Sequence, residues 1–95
     1  MQNEYTGQTD IIKVSARSIP KMTAGAIAAV IREGNRAEVQ AVGAGAANQA
    51  IKSVAIARTY MSAEDVDLIC RPKFTQITIE GDEKTAIALV VDKLS

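Results

Sequence analysis

The sequence predicts an α+β domain: a two-layer sandwich with element order βαβαββ, in which two helices cover one face of a small mixed sheet. Three observations lead there. Apolar residues alternate over short runs at 11–16 and 36–42, recur at three- and four-residue spacing over 20–33 and 47–60, and form two final runs separated by the turn composition Glu80-Gly81-Asp82-Glu83. Two βα units in succession put both helices on the same side of the sheet, which the terminal hairpin completes. The other sheet face then lacks a helical cover.

Residues 1–9 have little to bury and are read as a flexible N-terminal extension, with a single domain over 10–95. Ile11, Ile12, Val14 and Ala16 interleave with Lys13, Ser15 and Arg17, which suits a half-buried strand ending at Ser18. From Pro20 to Glu33 the residues Thr23, Ala26, Ile27, Val30 and Ile31 keep helical spacing after a Ser-x-Pro start, with Ser18 as the cap and Gly34 as the stop. Ala24, Gly25, Ala28 and Ala29 are small enough to admit a sheet or a second helix close to this backbone. Arg36 to Gly43 alternates again and is the second strand. Gly43 to Asn48 reads as a small-residue turn, after which Ala47, Ala50, Ile51, Val54, Ala55 and Arg58 define a second helix to about Tyr60. Val66 to Phe74 is strand-like. The alternation then resumes on the other parity at Ile77 and Ile79, which predicts a bend or bulge near Pro72. Thr75 to Ile79 and Ala86 to Val91 form the C-terminal hairpin.

Composition excludes several functions. At 95 residues the chain is one domain that buries only about 60 to 65% of its unfolded surface, so a homodimer is expected as a source of extra burial. Eleven Lys and Arg balance eleven Asp and Glu, so any polyanion site is a local patch. With no histidine, Ser-His-Asp and Cys-His catalysis and imidazole zinc sites are absent. Cys70 is the only cysteine, sits in an apolar run and has no histidine to activate it. A Ser-Lys dyad of Ser15 or Ser18 with Lys21 has no reason to converge. Glu64, Asp65 and Asp67 lack the spacing of a calcium loop and read as solvated turn residues. The sequence therefore predicts no enzyme, no catalytic residue, no cofactor and no metal. The polar, acidic start and the lack of an apolar run of roughly 18 residues predict a cytoplasmic protein with no membrane insertion.

The charge is nonetheless uneven. Residues 11–60 hold seven Lys and Arg against Glu33 and Glu38, whereas residues 61–95 hold four against seven acids. If the first strand and its loop bring Lys13, Arg17 and Lys21 near Lys52 and Arg58, several cations converge on phosphate, and Arg71 and Lys73 could extend that surface. A solvated surface explains the same residues without a ligand. Gly43-x-Gly45-x-x-Asn48 suits an anion held on backbone N–H groups, with Asn48 and Gln49 adding hydrogen bonds. It lacks the third glycine of a dinucleotide fingerprint and the lysine of a P-loop, so tight βα packing competes with that reading. Only Tyr5, Tyr60 and Phe74 are aromatic, which argues against base-stacking platforms. Ile56 stands off the apolar stripe of the second helix and is the expected subunit contact.

The runs Lys13-Val14-Ser15-Ala16-Arg17-Ser18-x-Pro20, Ala24-Gly25-Ala26-Ile27-Ala28 and Val39-Gln40-Ala41-Val42-Gly43-Ala44-Gly45-Ala46-x-Asn48-Gln49-Ala50 resemble the stage V sporulation protein S family. The likeness continues through Lys52 to Arg58, Val66 to Cys70, Pro72-x-Phe74 and Glu83 to Ile87. The chain departs from the pattern in its longer N-terminal extension and at Ile19, Lys21 and Met22. The resemblance implies an Alba-like βαβαββ domain, a homodimer capable of further assembly, and a link to bacterial sporulation, septation and developmental regulation. It also implies DNA or RNA binding; taken with the charge pattern and the glycine turn, this predicts contact to the phosphate backbone with low sequence specificity at Lys13, Arg17, Ser18, Lys21, Gly43, Gly45, Asn48, Gln49, Lys52 and Arg58. Two other functions stay open: a protein-interaction module of the sporulation or cell-division machinery, and a nucleotide sensor built on Gly43 to Asn48.

Overall fold

A computed structural model describes residues 7–94. Its elements are β1 (Thr9–Val14), α1 (Pro20–Arg32), β2 (Arg36–Ala41), α2 (Ala44–Ser62), β3 (Leu68–Ile79) and β4 (Asp82–Lys93), the βαβαββ order of an α+β, Alba-like domain. The sheet runs β1-β2-β4-β3, with β1 and β2 parallel and the other pairs antiparallel. Thr9 already belongs to β1, and the carbonyl of Gln8 accepts the N–H of Arg36 at 3.0 Å, so the ordered ladder starts inside the expected extension. Residues 1–6 lie outside the described residues.

Parity decides what each strand gives the core. Ile12 and Val14, Ala37, Val39 and Ala41, and Leu89 and Val91 meet both helices, while Lys13, Glu38, Gln40, Ala88 and Val90 occupy the opposite, helix-free face. From the helices the core takes Ala24, Ile27, Ala28, Val30 and Ile31, then Ala46, Ala50, Val54, Ala57 and Met61. Burying a side chain the size of Ile27 or Ile31 contributes roughly 1.5–3 kcal/mol. The fully buried alanines let two helices and a sheet approach closely with little side-chain volume between them.

Several local expectations change. Ala26 is exposed, and Ala24 and Ala28 take its place on the buried face of α1. Pro20 holds Ile19 extended and makes Ile19 the N-cap, so Ser18 does not cap the helix. Its hydroxyl instead accepts the N–H of Ser15 at 2.9 Å and closes the β1–α1 loop. α2 begins at Ala44, so the turn is Val42 and Gly43, with Gly43 at φ 90° and ψ 160°, a conformation essentially restricted to glycine. On α2 the buried stripe runs through Ala46, Ala50, Ser53, Val54, Ala57 and Met61. Ile51 and Ala55 are exposed, and Ile56 is partly buried, packed against the core.

No bulge interrupts β3. Its register with β4 runs one for one from Leu68↔Lys93 through Pro72↔Leu89 to Ile79↔Asp82. β3 is an edge strand, where a residue without an N–H is tolerated. The change of apolar parity has another cause: beyond Ala41↔Ile87 the hairpin leaves the body of the sheet, and no helix there dictates which face is buried. Glu80 and Gly81, both at positive φ, close it as a two-residue turn.

Candidate nucleic-acid interface

Because β1 and β2 are parallel neighbours, their C-terminal ends lie side by side, and each feeds the N-terminus of a helix at the same end of the molecule. The two connections touch. A Cβ built on Gly45 would lie 3.1 Å from the Cβ of Ala16, so glycine is what lets the first turn of α2 sit against the β1–α1 loop. Gln49, one turn further along, donates from Nε2 to the carbonyls of Ser18 at 3.0 Å and Ala16 at 3.4 Å. Within the loop, the N–H of Arg17 donates to Ser15 Oγ at 3.1 Å. The loop is held internally and from α2, which fixes the stem on which Arg17 stands.

The β3–β4 hairpin, which projects from the same end, carries Glu80, Asp82 and Glu83, but the cations of the first βα loop have no carboxylate partner among the described residues. Arg17 and Lys21 are exposed, Lys52 follows Gln49 by one turn on α2, and none of the three is in an ion pair among the described residues. Neither helix has an acidic residue in its first turn or a side-chain cap on its amides. Lys21 in the first turn of α1 opposes the helix dipole, at a cost of about 0.3–1 kcal/mol when exposed. Uncompensated amides beside unpaired cations are the arrangement that an anion completes.

Arg17, Ser18, Lys21, Gly43, Gly45, Asn48 and Gln49 thus gather at one end, with Lys52 further along, near the middle of α2. Within that group Gln49 is committed to the loop carbonyls, Ser18 to the loop's own closure and the glycines to the backbone path, whereas Asn48 is exposed. Lys13 lies just below, on the helix-free face, also without an ion pair among the described residues. Arg58 does not join them. It lies about 22 Å along the helix axis from Gly43, at a rise of ~1.5 Å per residue, and is paired with Asp67 at 3.1 Å. Ala16, the residue under Gly45, was not singled out by the sequence; a second small residue opposite a glycine was the available signal.

The sequence also missed an apolar groove of about 810 Å³ between α2 and β3, lined by Ile51, Val54, Cys70, Pro72 and Leu89, with Arg58 and Asp67 at its polar end. Ile51 is 59% exposed, and Phe74, further along the same face of β3, is 75% exposed. Burial pushes the Cys70 thiol above its ordinary value, which keeps it a poor nucleophile near neutral pH. Glu64 is held by Arg32 and Asp67 by Arg58, and among the described residues no three His, Cys, Asp or Glu are grouped to hold a metal. Among those residues no helix is long and apolar enough to cross a membrane.

The fold, the paired βα loops and the stretches of sequence that build them agree with a match over nearly the whole described chain. The model of one family, Stage V sporulation protein S (SpoVS), covers residues 10–94, so the chain belongs to that family, whose role is in sporulation.

Proposed function

We propose that this protein is a non-enzymatic regulator in sporulation that binds DNA or RNA through the phosphate backbone, with low sequence specificity, and acts as a homodimer. The supporting observation is the contact between the two βα connections, with Gly45 against Ala16 and Gln49 on the loop carbonyls. It puts Arg17 and Lys21 beside the uncapped start of α2, with no carboxylate paired to either among the described residues. Phosphate oxygens accept from such amides and cations irrespective of base, which gives affinity without sequence readout. The test is fluorescence anisotropy of the purified protein with short duplex DNA and with RNA across a salt series, with Arg17→Ala and Lys21→Ala in parallel. Steep salt dependence that both substitutions weaken is the expected result. No binding at low salt by a protein of intact mass sinks the proposal.

The groove between α2 and β3 favours a second reading, a protein-interaction module of the sporulation or cell-division machinery. Ile51, Pro72 and Phe74 offer an exposed apolar surface on a chain with a thin core. In the homodimer the same surface is the natural subunit contact. A protein that binds no nucleic acid and loses a partner on Phe74→Ser fits the second reading alone.

A further inference from the structure

The helix-free face of the sheet has an uneven relief of charge. Across it the register aligns Lys13, Gln40, Ala88 and Lys73 in one row and Ile11, Glu38, Val90 and Arg71 in the next, with Arg36 beside Asp92 beyond. The two carboxylates are recessed: the side chains of Glu38 and Asp92 are each 14% exposed. The cations of β3 stand above them, Lys73 at 56% and Arg71 at 65%. Ala88, within the first row, is fully buried and adds no height.

The recessed carboxylates have closer partners than these two cations. Asp92 accepts Arg36 Nε at 2.9 Å on both oxygens, and Arg71 reaches it only at 3.4 Å. Glu38 accepts Gln40 Nε2 at 2.8 Å, and Lys73 Nζ lies 3.8 Å away. Lys73 and Arg71 can therefore swing to another anion without leaving a half-buried carboxylate unpartnered, the situation that makes breaking a paired charge costly. Lys13 begins the row on β1, and its strand leads directly into the loop that carries Arg17.

The geometry points to a second segment of phosphate contact: a nucleic-acid backbone seated on the βα loops turns over the end of β1 and crosses the helix-free face along Lys13, Lys73 and Arg71. From Lys13 to Lys73 the path spans three strand spacings, about 14 Å. Ile11 and Val90 lie on the same face beside it, with Glu38 recessed between them, so the path runs past low, mostly uncharged side chains between the cations. This surface rests on the phosphate-binding reading of the loops and lengthens it.

The test uses the full chain and fluorescein-labelled 12-nucleotide single strands and duplexes, measured by anisotropy from 25 to 300 mM salt. Arg71→Gln with Lys73→Gln is expected to weaken binding about tenfold at low salt and to lower the salt slope by about 1.4 to 1.8, two cations' worth. Glu38→Gln, which frees Lys73, is expected to tighten binding more in the parent than in a Lys73→Gln background, a difference that a merely structural lysine does not produce. Acetylation of the Lys73 amine by a soluble reagent should slow when nucleic acid is bound, which needs no variant. If binding, slope and Lys73 reactivity are all unchanged while Arg17→Ala with Lys21→Ala is defective, the path stops at the loops and this inference fails with the loop site intact. If the parent protein binds neither probe at the lowest salt, both fail.

Discussion

The two halves of α2 face different chemistry. Its first two turns, from Ala44 to Ala50, meet a loop that carries Arg17 and Lys21, and no carboxylate pairs with these cations among the described residues. Its later turns line an apolar groove whose one cation, Arg58, is tied to Asp67. A basic residue is thus a phosphate contact or a local ion pair according to the carboxylates around it, and counting Lys and Arg along a helix cannot separate the two. The same helix also switches from glycine-tight contact at Gly45 to an exposed apolar side at Ile51 within two turns.

Breaking the tight half has the largest expected effect. Gly45→Val drives β-branched bulk into Ala16, where a bare Cβ already sits at 3.1 Å, and should destabilise the fold by about 1–3 kcal/mol. Gly43→Ala meets a glycine-only backbone conformation and should cost a similar ~1–3 kcal/mol. Urea unfolding measures both. Either variant unfolding at the parent's midpoint would mean that the two βα connections are not rigidly joined.

Next comes a contrast between the halves. Arg17→Ala should weaken nucleic-acid binding several-fold and lower the salt slope by about 0.9 on duplex DNA, while Arg58→Ala leaves both unchanged. Equal losses would show that charge anywhere on α2 suffices. On the groove side, Ile51→Ser should shift unfolding of the dissociated monomer by less than about 0.5 kcal/mol, because the side chain is exposed in the single chain. It should, however, lower the mass seen by light scattering as dimers dissociate on dilution. A dimer as tight as the parent's places the subunit contact on another surface.

The smallest effect belongs to Arg32 and Glu64, which tie the end of α1 to the turn after α2. The hydrogen bond from Arg32 holds the Glu64 carboxyl below its ordinary value. A carboxyl lowered in the folded state stabilises it above the unfolded-state value, and that contribution is lost as pH falls through the folded-state value. Glu64→Gln should therefore show a slightly lower melting temperature than the parent at neutral pH and none of that difference in acid. Both side chains are half-exposed, so the shift is small. A difference that persists in acid would assign it to something other than the ion pair.

Periodicity located all six elements, because alternation and 3.6-residue spacing record which side of a strand or helix is buried. It was less able to say which small residue of α1 or α2 lies inward. Ala26 and Ala24 are equal in hydropathy, and the choice between them rests on the rotation of the helix against the sheet. Pro72 misled for a related reason: its effect depends on whether the strand is at an edge, which belongs to the sheet order and not to the segment. Of the candidate site, the glycines and the cations of the β1–α1 loop were legible as local patterns. Their contact was not, since Ala16 and Gly45 are distant in sequence and meet only because β1 and β2 pair in parallel.

The sequence by itself determined the element order, the absence of histidine chemistry, the basic first half and the membership of a family, all of which are properties of residue identity and spacing. Tertiary structure alone decided that Arg58 is neutralised while Arg17 and Lys21 are not, that Glu38 and Asp92 sit below Lys73 and Arg71, and that Ile51 rather than Ile56 is exposed. Each of these depends on distances between groups remote in the chain. Electrostatic attraction and apolar burial act through space, and only the folded packing sets those separations.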